Sequence, residues 1–400
     1  MNRPNDFFDP EIPRQEPDAT PSDSSLDSQP EPFESRPLEE LLLYEEQPEK
    51  GRKRKKSSKK KKVLLGILFG FLGLIAALVI TVLILVAVGK SAMLDRTGMK
   101  LDPSGAVSGV AVENDGMDVE YAGKKYRYNK NMTGILCIGV DRDTFADGDT
   151  AYGTNGQADA LFLIALDTGT GRTTVVPIPR DTMADVDLYS AGGAYVSSEK
   201  KQICLSYAYG DGKKTSCENT VKSVSRLFYG LPINSYIAID MDAIGLLTDK
   251  VGGVPVTPTS DFVSGSYRFA KGQETVLTGD KAVSYVQSRN KSDINSSLER
   301  MARQKQFIQG FFSRALAMTK KDIKTPVSLY NAVSGSMITT LDIADISFLT
   351  SCVVGGMSGG KLEFRPIDGE MKMGEKYAEY YADEQSIYEM IIDVFYEPVS

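Results

Sequence analysis

The sequence predicts an α/β fold, a layered mixed sheet flanked by helices, set behind a disordered cytoplasmic tail and one transmembrane helix. Residues Val63 to Val88 form a long apolar run without a charged side chain. Three later runs, Gly134 to Val140, Ala160 to Leu166 and Thr173 to Ile178, have strand character, and after them apolar residues recur at helical spacing.

The tail, residues 1–62, is rich in Pro, Ser, Asp and Glu over its first fifty positions and has few aromatics. Such a chain cannot bury enough apolar surface to offset its conformational entropy. It closes on a basic block, GRKRKKSSKKKK, whose nearest counterparts on the far side of the apolar run are only Lys90 and Arg96, beside Asp95. The run at 63–89 exceeds the roughly 20 apolar residues needed to cross a ~30 Å hydrocarbon core. The charge asymmetry then places the N-terminus in the cytoplasm and the C-terminal part outside, in a single-pass arrangement. Residues 90–118 lack clear periodicity and contain Pro and Gly, which reads as a stalk leading to a domain at 119–400.

The chain carries 46 Lys and Arg against 53 Asp and Glu, a net charge of −7, so no general nucleic-acid surface is expected. It has no His and no Trp. Ser-His or Cys-His nucleophilic machinery and His-ligated zinc are thereby excluded, and catalysis has to use carboxylates, Arg, Lys or a hard metal ion. Four cysteines all fall on the outer side of the apolar run, where disulfides persist. Cys204 and Cys217 lie in a loop-rich stretch, ICLSYAYGDGKKTSCENT, and are expected to form a local bridge, with Cys137 and Cys352 as buried thiols.

A short hairpin is expected at YAGKKYRYNKN, ahead of the three strand runs. The second and third runs are joined by the turn-rich DTGTGR, which makes them antiparallel. If the first lies parallel to the third, one sheet edge collects the end of the first, the start of the second and the end of the third. Asp141, Asp159 and Arg180 occupy those positions. Strand ends are favoured ligand sites in α/β proteins, and two convergent carboxylates suit a hard cation such as magnesium. Solvated turn acids are the competing reading of the same residues.

Helices are expected from Ser216 towards Leu231, from Met241 and from Gly279, with a strand at Ser235 to Asp240 and another after the helix stop VGGVPV. A long helix starts at Ser296, where Glu299 completes an S-x-x-E capping box. Met301, Ile308, Phe311 and Ala315 share one of its faces, and Arg300, Arg303 and Phe307 a neighbouring one. Positive charge near a helix start opposes the helix dipole unless an anion sits there. With Arg289 and Lys291 close in sequence, phosphate or pyrophosphate is the natural guest, since guanidinium matches its oxygens bidentately. An exposed face with scattered ion pairs is the alternative.

The ordered motifs ILCIGVDRD, ADALFLIALD, PIPRDT, ICLSYAYGDG, VGGVPV, LTGDKAVSYVQSRN and RMARQKQFIQGFF resemble the LytR-CpsA-Psr family of Gram-positive envelope proteins. The resemblance implies an α/β extracellular domain at the cell membrane of a Gram-positive bacterium. It implies transfer of an anionic glycopolymer, wall teichoic acid or capsular polysaccharide, from an undecaprenyl-(pyro)phosphate carrier to peptidoglycan, with a pyrophosphatase activity as the hydrolytic variant. It assigns Mg2+ (or Mn2+) to Asp141 and Asp159, catalysis to these two and Arg180, and phosphate binding to Arg180, Arg289, Arg300, Arg303 and Gln304.

Three departures from the family pattern stand out. Gln157 replaces an Arg, Gln287 replaces the first Arg of an R-x-R pair ending at Arg289, and Gln202 replaces a Lys, with Lys200 and Lys201 adjacent. Gln157 and Gln287 each remove one charge-assisted hydrogen bond, worth about 1.5–3 kcal/mol, whereas a lysine beside Gln202 can take its place. A non-catalytic polyprenyl-phosphate binder or envelope regulator is therefore the alternative function.

Overall fold

The structure is a computed structural model of the chain. It describes residues 100–103, 107–142, 156–290 and 292–399, with scattered positions between Ile80 and Leu94 and at Phe145, Tyr152 and Gly153. The expected cytoplasmic tail lies outside the described residues, as does the expected membrane span apart from scattered helical positions from Ile80 onward. Among the described residues no helix is long and apolar enough to cross a membrane. Every described residue belongs to one compact unit, Ile67–Ser400.

A six-stranded mixed sheet forms the centre. Its strands in chain order are β1 (Met132–Val140), β2 (Ala158–Asp167), β3 (Thr173–Ile178), β4 (Ser235–Ile239), β5 (Met337–Thr339) and β6 (Leu362–Phe364). Their spatial order is β5-β4-β1-β2-β3-β6. β1, β2 and β3 pair antiparallel in sequence, while β4 lies parallel to β1 and β6 parallel to β3. β1 and β3 therefore run the same way, which is the condition for Asp141, Asp159 and Arg180 to share an edge.

The two faces of this sheet differ. Leu136, Ile138, Leu161, Leu163, Val176 and Ile178 point to one side and are at most 1% exposed. They pack with Cys217 and Val224 of the helix Lys214–Leu227 and with Ile387 to Phe395 of the helix Glu384–Phe395. Full burial stabilises each large aliphatic side chain by about 1.5–3 kcal/mol, so this face anchors the fold. On the other side Cys137, Gly139, Ala160, Ile164, Ile237 and Ile239 are only half-buried although they sit on central strands.

The expected helices form at Lys214–Leu227, Met241–Lys250, Gly279–Gln287 and Ser296–Lys321, and the expected hairpin at Asp118–Tyr121 and Lys124–Tyr128. The VGG stop operates through Gly252 and Gly253, whose φ values of 74° and 89° turn the chain into the strand Val254–Val256. The long helix Ser296–Lys321 crosses that strand at Gly310, where a Cβ would stand 2.7 Å from the Pro255 carbonyl oxygen. No capping box opens this helix: Ser296 is already helical, and Asn295 precedes it without a side-chain cap.

The folded body reaches further towards the N-terminus than residue 119. Val110–Glu113 pairs with Asp118–Tyr121, the same small sheet takes in the C-terminal strand Tyr396–Pro398, and Leu101 is fully buried.

The expected Cys204–Cys217 bridge is absent, since both are free buried thiols. The intervening stretch is not loop-rich; it folds into the helices Leu205–Ala208 and Lys214–Leu227. Cys217 enters the core from the second helix, and the Cys204 sulfur accepts a 3.0 Å hydrogen bond from the Arg180 guanidinium. Cys137 and Cys352 are half-buried and likewise unbridged. Alkylation in denaturant without reductant is accordingly expected to label all four cysteines, as read by intact mass; a bridge would leave label on Cys137 and Cys352 alone.

Candidate functional site

The half-buried sheet face is the floor of a cavity of about 1280 Å³, and the long helix is a wall of it. Register aligns the floor: Cys137 stands between Phe162 of β2 and Ile237 of β4, and Gly139 between Ala160 and Ile239. Gly139 keeps the floor open, because a Cβ there would meet the Ala160 side chain at 2.9 Å. The wall is supplied by Arg300, Gln304, Phe307, Ile308 and Phe311, which follow one another at helical spacing. Ile308 and Phe311, assigned from the sequence to a different face from Arg300, therefore line the cavity together with it.

Charge gathers at the strand-edge end. Asp159, the second residue of β2, is 9% exposed and is held between two arginines. One carboxylate oxygen accepts from Arg180 Nη1, and the other accepts from Arg300 Nη1 at 2.7 Å. Arg180 also donates from Nη2 to the Gln157 amide oxygen, and its Nε stands 3.4 Å from an Asp181 carboxylate oxygen. Backbone bonds fix these segments together: Asp141 N–H to the Gln157 carbonyl, Ala158 N–H to that of Cys204, and Cys204 N–H to that of Arg180.

Two net features follow. Burial alone would pull the Arg180 pKa down, yet the neighbouring Cys204, Asp159 and Asp181 outweigh it and hold the guanidinium above its ordinary value. The Cys204 thiol is pushed up to about 12 by its burial, against the opposing pull of Arg180. Secondly, Arg300 Nη2 and Arg180 Nε are buried with no hydrogen-bond acceptor among the described residues. A buried donor left unsatisfied costs about 1–3 kcal/mol, more when charged, and an arriving oxyanion removes that cost.

The sequence-derived residues divide. Asp141, Asp159, Arg180, Arg289, Arg300 and Gln304 all line the cavity, with Asp141 and Arg289 exposed at its mouth. Arg303 does not line it. Its Nε donates to the Tyr285 carbonyl at 3.2 Å, its Nη2 to the Ser288 carbonyl, and its guanidinium lies 4.7 Å from the centre of the Phe262 ring. The role is to hold the C-terminus of the helix Gly279–Gln287, where free carbonyls attract cations. Burial lowers the Arg303 pKa. Gln304 donates to Val286 O at 3.3 Å on the same helix end.

The departures also acquire positions. Gln157 replaces a positive charge with an acceptor for Arg180. Gln287 is exposed at the mouth. Gln202 lines the cavity and donates to Asp181 at 3.1 Å and to the Ala378 carbonyl at 2.6 Å. Lys200 and Lys201 pair instead with Asp185 and Glu199 outside the cavity lining. Sequence reasoning missed the hairpin Gly369–Met373 and Ala378–Ala382, which brings Met373, Lys376 and Tyr377 to the mouth.

Magnesium is usually held by one or two carboxylates together with substrate phosphates. Among the described residues no group of three or more His, Cys, Asp or Glu is placed to hold a metal. Asp141 and Asp159 at one cavity end, the latter already bonded to two arginines, fit an ion shared with a phosphate rather than a complete protein cage.

A model of the LytR_cpsA_psr family matches residues 105–393. A polyisoprenyl-teichoic acid–peptidoglycan teichoic acid transferase TagU of Enterococcus faecalis is 26% identical over 247 residues, covering 62% of this chain and 70% of that protein. The TagU of Bacillus subtilis is 30% identical over 185 residues, covering 46% of this chain and 53% of that protein. Of several such curated relatives, then, the chain spans little more than half. Among solved structures, B. subtilis TagV aligns with a TM-score of 0.51 and 22% identity over 66% of this chain and 96% of that one. TagT bound to LI-WTA aligns with a TM-score of 0.50 and 19% identity, over 66% and 91%. These likenesses show the mixed α/β fold.

Proposed function

Since this chain belongs to the LytR-CpsA-Psr family, we propose that it transfers an anionic glycopolymer, of the wall teichoic acid or capsular polysaccharide type, from an undecaprenyl-(pyro)phosphate carrier to a peptidoglycan hydroxyl. The observation that supports this most is the cavity, apolar along the sheet floor and helix wall and closed at one end by the half-buried Arg180 and the buried Arg300, the latter with a buried N–H that meets no acceptor among the described residues. An apolar chain bearing a phosphate head matches both halves. In this reading the chain is a single-pass protein of a Gram-positive cell membrane, with its tail 1–62 in the cytoplasm, its span at 63–89 and its domain outside. The related transferases from E. faecalis and B. subtilis are named for a polyisoprenyl-linked teichoic acid and for peptidoglycan, which agrees with that placement.

In the proposed reaction the acceptor hydroxyl oxygen bonds to the glycan-side phosphorus and the bond to the carrier phosphate breaks. The hydroxyl proton leaves at the open mouth, where Asp141 stands. Arg180 and Arg300 hold the phosphate oxygens and neutralise the charge that builds on the leaving carrier phosphate. Arg289 meets the phosphate from the exposed rim, and Gln304 keeps the cavity wall in register with the Gly279–Gln287 helix. Mg2+ (or Mn2+), when bound by Asp141 and Asp159 with phosphate oxygens, would supply Lewis-acid polarisation of the phosphoryl group. Asp159 holds both arginines in place, accepting a hydrogen bond from each.

A second reading, a polyprenyl-phosphate binder or envelope regulator, is favoured by Gln157, which gives Arg180 a neutral partner where the family carries Arg. The two separate in one assay on the full chain in liposomes, with a labelled polyprenyl-pyrophosphate glycan and peptidoglycan fragments. Label is expected to reach the acceptor, to stop on chelation with EDTA and to resume with added Mg2+ or Mn2+. Tight lipid binding with no transfer at any metal concentration would establish the binder, and phosphate release without acceptor would identify a pyrophosphatase.

A further inference from the structure

At the mouth of the cavity stands a structure that the phosphate chemistry does not use. The hairpin Gly369–Met373 and Ala378–Ala382 is bolted to the segment directly after Arg180. Tyr380 N–H donates to the Asp181 carbonyl at 2.8 Å, Thr182 bridges to Tyr380, and Gln202 donates to the Ala378 carbonyl. Its tip is closed by a 2.9 Å bond from Gly374 N–H to the Tyr377 carbonyl. A tight turn on a rigid mount thus holds Tyr377, 69% exposed, and Met373, 66% exposed, on the rim of the cavity.

Large side chains this exposed beside a reacting centre suit a ligand that covers them. A tyrosine ring offers a flat apolar face with a polar edge, which matches the C–H face and hydroxyl rim of a pyranose. The charge of the hairpin chooses between the two saccharides that meet at the mouth. Glu370 pairs with Lys372 at 3.0 Å, and at the tip Glu375 stands next to the cavity-lining Lys376, so the tip carries no excess of positive charge. That surface does not attract an anionic glycopolymer, whereas a largely uncharged glycan backbone meets no penalty there.

We propose that the hairpin tip is the docking platform for the acceptor, with a sugar ring of the peptidoglycan backbone stacked on Tyr377. The proposal rests on the transferase reading for its occupant. It makes Tyr377 a specificity residue that orients the attacking hydroxyl towards the phosphate held by Arg180 and Arg300.

The test compares the full chain with Tyr377→Ala and Tyr377→Phe. Transfer kinetics are read against peptidoglycan glycan fragments and against donor lipid, and fragment binding is read separately by saturation-transfer NMR. Tyr377→Ala is expected to raise the acceptor KM about tenfold, with the donor KM unchanged and the saturation-transfer signal of the fragment abolished. Tyr377→Phe, which keeps the ring, retains most of both. An unchanged acceptor KM, or a rise confined to the donor KM, overturns the platform; so does loss of binding to anionic lipid vesicles with fragment binding intact, which would mark the tip as a membrane-binding surface. If the wild type fails to transfer yet binds the fragment through Tyr377, the transferase reading falls while this one stands. Absence of fragment binding by the wild type overturns this proposal whatever the kinetics show.

Discussion

Arg180→Ala is expected to lower kcat for glycopolymer transfer by about a thousandfold or more, the scale seen when an arginine that stabilises phosphoryl-transfer charge is removed. The structure supports a loss in chemistry rather than in folding. Asp159 keeps its 2.7 Å partner Arg300, and Asp181 keeps Gln202, so no buried carboxylate is orphaned. Melting temperature should therefore fall little while turnover collapses. Arg180→Lys should restore only a small part of the rate. One ammonium cannot reproduce the fork that meets Asp159, Gln157 and Cys204 at once. A rate within a few fold of wild type would remove Arg180 from the chemistry.

Asp159→Ala should have the opposite signature, a large effect on stability. It takes the carboxylate partner from Arg300 and leaves Arg180 with Asp181 alone, on side chains that are 7% and 12% exposed. Breaking such a buried arrangement from one side costs about 3–5 kcal/mol. The destabilisation should be partly reversible by ligand, because added inorganic pyrophosphate supplies the missing negative charge. Thermal unfolding with and without pyrophosphate is the measurement, and the variant should gain more than the wild type. Equal gains would mean that the anion binds elsewhere.

Much of the fold was legible because the central strands are almost wholly apolar and the connection between β2 and β3 is short. Antiparallel pairing then forces Asp141, Asp159 and Arg180 to one end of the sheet, and that inference needed only strand direction. Partners were harder to read. Arg300 and Arg303 sit three residues apart, about a turn, but helical spacing does not say what each side chain meets. One turns to Asp159 and the other to the carbonyls that end a neighbouring helix. The stretch from Cys204 to Cys217 resembles a loop in sequence because Gly210, Gly212 and Lys213 fall between the short helix Leu205–Ala208 and the fourteen-residue helix Lys214–Leu227. The hairpin at Gly369–Ala382 gave no signal, since a polar, charged strand pair looks like surface until tertiary packing sets it against Asp181.

The charged end of an apolar cavity is the centre of the account, and a comparison of lipids tests it most directly. Binding of undecaprenyl phosphate and of undecaprenol to the full chain would be measured in detergent, for wild type and for Arg300→Ala. The wild type is expected to prefer the phosphate by about tenfold or more, the worth of one charge-assisted bond, and Arg300→Ala to lose most of this preference while still binding the alcohol. Equal affinity of the wild type for both lipids would contradict it.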